Sequence, residues 1–226
     1  MEQAINELYE KKPAIEMAKI GCLGCTKLEY LESTGTQYID TEYIPKINTK
    51  IELTLMFDGD FRIYNPYGGG TSNTIIFGSS NKKDSVFQLN FGGGASQGNK
   101  LYPWIDKPYG QGGSSYGFGI DYDIIQNKNT IMISSGLLTY GTFSENLPIK
   151  TTNNDLSLIL FGGNEAGSIH SFNAYYMFVY GMQLYEGEEL KRDYIPVLDK
   201  NKRPCMFDKV SKTCFYNKGT GEFLYG

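Results

Sequence analysis

The feature that most constrains this chain is a two-residue alternation of apolar and polar side chains. It is clearest in KIELTLMFD, where Ile51, Leu53, Leu55 and Phe57 fall on one side and Glu52, Thr54 and Met56 on the other. Side chains of an extended strand point alternately to opposite faces, so such a run calls for a sheet with one buried face. The alternation returns in SVFQLNF through Phe87, Leu89 and Phe91, in SYGFGIDYDII, in NTIMIS, in DLSLILF through Leu156, Leu158 and Leu160, and in AYYMFVYGMQLY. Glycine-rich breaks separate these runs and no helical segment stands between them. That pattern predicts antiparallel sheets stacked as a sandwich rather than a βαβ fold. Hairpin turns are expected at Gln126 to Asn129 and around Glu186 to Glu189. A last small hairpin is expected in PCMFDKVSKTCFYNKGTGEF, followed by a turn from Lys218 to Gly221.

Bulk properties agree and exclude several functions. A chain of 226 residues can bury one sizeable core, and 27 glycines with 18 tyrosines suit many turns and broad half-buried surfaces. The formal net charge of -4 provides no basic footprint, so no nucleic-acid partner is expected. No apolar run is long enough to cross a bilayer, and MEQAINELYEKK has no hydrophobic signal-peptide region, so synthesis in a cytoplasm without membrane insertion is expected.

The first twenty residues differ from the rest. Ile5, Leu8 and Tyr9 fall at helical spacing, and Pro13 opens a second helical turn through Ala14, Ile15 and Met17. Helices this short are marginal alone, because nucleation is costly and few bonds repay it. Residues 1–27 are therefore read as a helical docking segment with the linker GCLGCTK, and residues 28–226 as the β-domain. Ile5, Leu8, Tyr9 and Ile15 are the candidate docking residues.

Three stretches carry a resemblance: LEYLESTGTQYIDTEY from Leu28, FVYGMQLYEGEELKRDYIPVLD from Phe178, and PCMFDKVSKTCFYNKGTGEF from Pro204. Together they resemble the concanavalin A-like, laminin G-like domains of tail, fibre and head-decoration proteins in phages and prophages of gut bacteria. The resemblance covers about Leu28 to Gly226. It implies an all-β, two-sheet jelly roll whose first and late strands pair, with no catalytic set and a place among virion surface and adhesion modules.

The candidate chemistry is sparse. Glycoside hydrolases need two carboxylates flanking the scissile bond, and Asp121 with Asp123 is the natural pair, but both alternate onto the face opposite Tyr116, Phe118, Ile120 and Tyr122, where solvent is expected. Asp58, Asp60, Asp84 and Asp106 lie in or near loops without forming a dense calcium loop. Cys22 and Cys25 have knuckle spacing, and Cys205 with Cys214 could complete a four-thiolate site if the ends of the domain meet. The alternative, and the reading adopted from spacing, is that Cys205 and Cys214 are half-buried thiols across the last hairpin, with no metal and no cofactor. His170 is the only histidine and reads as a loop residue. KLYPWIDKPYGQGGSSYGF places Tyr102, Trp104, Tyr109 and Tyr116 in or beside one loop, and aromatic faces are what sugar sites use.

The expected molecule is thus a non-enzymatic phage virion surface protein: a jelly roll attached to other virion proteins through residues 1–20 and present as a homo-oligomer or in many copies. A glycan-binding module using the aromatic loop, which would meet a host surface glycan, and a polysaccharide hydrolase or lyase using Asp121 and Asp123 are the alternatives.

Overall fold

A computed structural model describes residues 12–58, 72–82, 86–93, 100–105, 118–119, 126–134, 136–147, 155–170 and 175–226. A short helix, α1 (12–19), precedes β1 (Thr26–Lys27), β2 (Leu31–Thr34), β3 (Ile39–Asp40) and β4 (Thr49–Phe57). There follow β5 (Ser72–Ser80), β6 (Val86–Gly93), β7 (Lys100–Ile105), β8 (Phe118–Gly119), β9 (Asn129–Ser134), β10 (Leu137–Tyr140) and β11 (Phe143–Asn146). Next come β12 (Ile159–Leu160), β13 (Gly163–Glu165), β14 (Ser168–His170), β15 (Tyr175–Glu186) and β16 (Glu189–Leu198). The chain closes with β17 (Pro204–Asp208), β18 (Thr213–Tyr216) and β19 (Leu224–Tyr225).

Two sheets form a sandwich. The first runs β11-β10-β9-β4-β15-β16-β17-β18, with β2 also on β15, β19 on β2 and β1 on β16. The second runs β14-β13-β5-β6-β7-β8, with β12 joining β5 to β3. The alternation in KIELTLMFD is realised as expected, for Ile51, Leu53, Leu55 and Phe57 are out of solvent while their neighbours in sequence are half-exposed. From the facing sheet Phe87, Leu89 and Phe91 enter the same core. The rings of Phe57 and Phe91 stack across the gap at 5.2 Å between centroids. The predicted turns at Glu186 to Glu189 and between β17 and β18 are both present.

In two places tertiary structure departs from simple alternation. In β15 the buried set changes parity, from Met177 and Val179 to Met182 and Leu184, because a bulge between Val179 and Gly181 inserts an extra residue against β4. The second departure is a parallel pair, β13 on β5, where the other pairs among the described strands are antiparallel. It follows from a reversal at Phe161, whose φ of 62° turns the chain back along the strand it has just paired with.

The Ser-Thr-Gly corner of the opening motif acts as half of a clamp. Buried Gln37 accepts from the Thr34 backbone N–H at 2.8 Å and from the Ser33 hydroxyl at 3.2 Å, which fixes the corner, while Gly35 supplies a φ of 107°. The Gln37 amide and the Thr36 hydroxyl both donate to the Thr220 carbonyl, at 3.2 and 2.8 Å. The Lys218 N–H donates to the Tyr38 carbonyl at 3.0 Å, so the corner and the KGTG turn hold each other. Gly219 is required by proximity: a Cβ there would stand 2.0 Å from the Thr36 carbonyl oxygen, which is backbone and has little room to yield. Gly219→Ala is expected to lower unfolding stability by about 1–3 kcal/mol, as overpacking of a closed contact does. A denaturant midpoint equal to that of the parent protein would refute the clamp.

Candidate functional site

The structure describes only part of the aromatic candidate. Its backbone register sets Tyr102 opposite Asn90 and Trp104 opposite Gln88. Gln88 and Asn90 alternate with core-facing Phe87, Leu89 and Phe91, and the Gln88 amide donates to the Asn90 side-chain oxygen at 2.8 Å. Gly78 and Gly163 flank Gln88 so closely that a Cβ at Gly78 would lie 2.8 Å from Gln88 Cγ. Tyr109 and Tyr116 lie outside the described residues, as do Asp60, Asp84, Asp106, Asp121 and Asp123. Asp58 is exposed, and its backbone N–H donates to the Tyr176 carbonyl at 3.0 Å. His170 sits on β14 with its Nε2 3.5 Å from Glu165, which also pairs with Lys82 at 3.0 Å, so these groups brace a hairpin edge.

Of the docking residues, Ile5, Leu8 and Tyr9 lie outside the described residues, and Ile15 is 47% exposed on α1. Met17, about 200° further round the helix, is instead buried against Val197, Cys205 and Phe207. The stretch read as a linker is strapped down. Gly21, with a φ of 90°, ends α1 as its N–H donates to Ala18 and that of Cys22 donates to Met17. Thr26 and Lys27 then pair with Leu198 and Val197 of β16.

This attachment gathers all four cysteines at one end of the first sheet. Cys22 and Cys25 occupy the tight turn after α1 and form a disulfide; Cys205 lies on β17 and Cys214 on β18 as free thiols. The sulfur atoms of Cys22, Cys25 and Cys214 all lie within 4.8 Å of one another. Cys205 is hydrogen-bonded to Cys214, and that bond is the leading reason the Cys214 thiol titrates below the ordinary range, with the Tyr216 hydroxyl assisting. Cys205 is pushed up by the same bond and then by burial. The register sets Cys214 opposite Phe207, so the two thiols meet diagonally across the predicted hairpin. A surface cavity of ≈ 410 Å³ opens onto Cys22, Cys25 and Cys214, with Lys200, Arg203 and Lys212 also on its wall.

Asp199 organises the loop beneath this cavity. Burial alone would raise its pKa, but the Arg203 backbone N–H, the Arg203 guanidinium, the Tyr216 hydroxyl and the Asn201 N–H all favour the ionised form and hold it at about 2. The guanidinium Nε and Nη2 both donate to Asp199 Oδ2, at 3.1 and 2.9 Å, and the group lies 4.3 Å from the Tyr216 ring centroid. Asp199 was not legible in spacing, its one hint being the Asp-x-Asn-x-Arg pattern of a carboxylate capping its own turn. The spacing offered the four cysteines as a set only on condition that the ends of the domain meet, which the structure decides.

No family model, curated protein or solved structure matches the chain. Among the described residues no helix is long and apolar enough to cross a membrane.

A depressed carboxylate pKa contributes stability that is complete above the unfolded value, about 3.9, and is lost as pH falls toward the folded value. Between pH 4.5 and 2.5 the parent protein is therefore expected to lose more stability than Asp199→Asn, read from urea midpoints. Equal losses in the two proteins would show that this carboxylate is not held low.

Proposed function

We propose that the protein is a non-enzymatic surface protein of a phage virion, a concanavalin A-like jelly roll attached to other virion proteins through its N-terminal segment and displayed in many copies. The observation that carries the reading is the meeting of the three resemblance-bearing stretches in one structural unit. The first motif pairs with the second as β2 on β15, and the third closes on the first through the Thr36–Thr220 clamp and β19. Pairing of first and late strands is what the resemblance implies. The exposed Ile15 beside buried Met17 supports attachment by α1's outer face together with residues 1–11.

A glycan-binding module is the second reading, and it rests on the sequence: Tyr102, Trp104, Tyr109 and Tyr116 share one stretch, and aromatic faces are what sugar sites use. Gln88 and Asn90, in register with positions 104 and 102, are buried and bonded to each other.

Particles assembled with the full chain should contain the protein on their surface by immunolabelling, whereas a chain lacking residues 1–11, with Met17 retained, should fold normally and be missing from them. Incorporation of the shortened chain at parent levels overturns the attachment. Reducing-sugar release from bacterial polysaccharides by the purified protein overturns the non-enzymatic reading, and specific glycan-array binding lost in Trp104→Ala would make adhesion the role.

A further inference from the structure

The cysteine cluster makes sense as more than a local disulfide. A Cys-x-x-Cys turn closes its own small ring without needing any third sulfur, yet here Cys214 reaches it from a strand almost 200 residues away in sequence. Cys205, diagonal to Cys214 on the neighbouring strand and hydrogen-bonded to it, stands just outside that three-sulfur group. Two elements with no sequence proximity, the turn after α1 and the β17–β18 hairpin, are both needed to build the cluster. We propose that the reduced protein binds one zinc ion through Cys22, Cys25, Cys214 and Cys205, a structural four-thiolate site that pins α1 to the last hairpin.

Three of the four sulfurs are already in place, and Cys205 closes on them from the neighbouring strand to complete the set. A zinc–sulfur distance of about 2.3 Å places the sulfurs of a tetrahedral site roughly 3.8 Å apart, and the sulfurs of Cys22, Cys25 and Cys214 already lie within 4.8 Å of one another. The turn carries glycines with positive φ at Gly21 and Gly24, at 90° and 78°, which lets its backbone fold around the two sulfurs. The stems of Lys212 and Lys200 pack over those same two glycines. Four thiolates around a divalent cation leave a charge of minus two, and two ammonium groups on the cavity wall offset it. The opening of ≈ 410 Å³ gives the cation an entry path.

The disulfide must open first. A trialkylphosphine does so by taking up oxygen from water to become the phosphine oxide, leaving Cys22 and Cys25 as thiols; in a cell, two equivalents of a monothiol leave as their own disulfide. The four thiols then release four protons as zinc binds.

The test uses the full chain, reduced with a phosphine under anaerobic conditions and titrated with Zn²⁺ and Co²⁺. One equivalent of zinc should bind with a sub-micromolar dissociation constant. Co²⁺ should produce the intense ligand-field and sulfur-to-metal charge-transfer bands of a tetrahedral four-thiolate complex, displaced by zinc. Cys214→Ser should weaken zinc binding about 100-fold or more, and protein oxidised at Cys22–Cys25 should take up none. The cobalt spectrum counts thiolates in the unmutated protein, so it stands even if a variant fails to fold. No uptake by the reduced protein, a spectrum of only two thiolates, equal affinity in Cys214→Ser, or equal uptake by the oxidised form would each overturn the site.

Discussion

The structure depends on the way β15 is shared. One edge of this twelve-residue strand pairs with β4 along nearly its whole length. Its other edge is divided: Tyr175 to Val179 pair with β2, and Met182 to Glu186 pair with β16. The bulge at Tyr180 and Gly181 separates the two halves, and a Cβ at Gly181 would come within 3.2 Å of the Tyr194 carbonyl. A single strand thereby fixes where the chain enters the sheet and where its last third leaves it. Main-chain hydrogen bonds in a water-excluded core are costly to leave unmade, so this division propagates outward to everything that hangs on β2 and β16.

What hangs there is the chain's two ends. β19 adds to β2, β1 adds to β16, and β17 with β18 extend the same edge. Tyr194, buried on β16, donates its hydroxyl to the Thr41 carbonyl at 2.8 Å and meets Phe215 edge to face, which ties the late strand to both the opening motif and the last hairpin. Asp208, fully buried in the β17–β18 turn, accepts from the backbone N–H groups of Asp193, Val210 and Ser211 and is held ionised by them against the cost of burial. The region is thus rigid through polar closure as well as apolar packing. A rigid frame is what brings thiols from distant parts of the sequence to fixed separations.

The sandwich was readable because burial of one sheet face writes itself into sequence at period two, as in Ile51 to Phe57, and because Gly-rich breaks mark where strands reverse. The parity change in β15 was not, since nothing in FVYGMQ distinguishes a bulge from a regular strand until the partner β4 sets the register. The reversal at Phe161 was equally silent, because a left-handed φ at a bulky residue is imposed by its surroundings and not by its own preference. The stretch Gly21 to Lys27 looked like a linker by composition. It is held by Met17 in an apolar pocket and by pairing to β16, both of which involve residues some 170 or more positions away.

By itself the sequence determined the alternation, hence two sheets with a shared core, the hairpins at Glu186 to Glu189 and in the closing motif, and the absence of a basic footprint. These are local properties, set by side-chain periodicity and turn chemistry over a few residues. Only the tertiary structure decided which strands are neighbours, that Gly219 must be glycine because the Thr36 carbonyl passes beside it, and that Cys22, Cys25, Cys205 and Cys214 meet. The reason is physical: strand order and register are settled by how complete faces and edges fit in three dimensions, and the energy that selects one fit belongs to pairs of residues far apart in the chain.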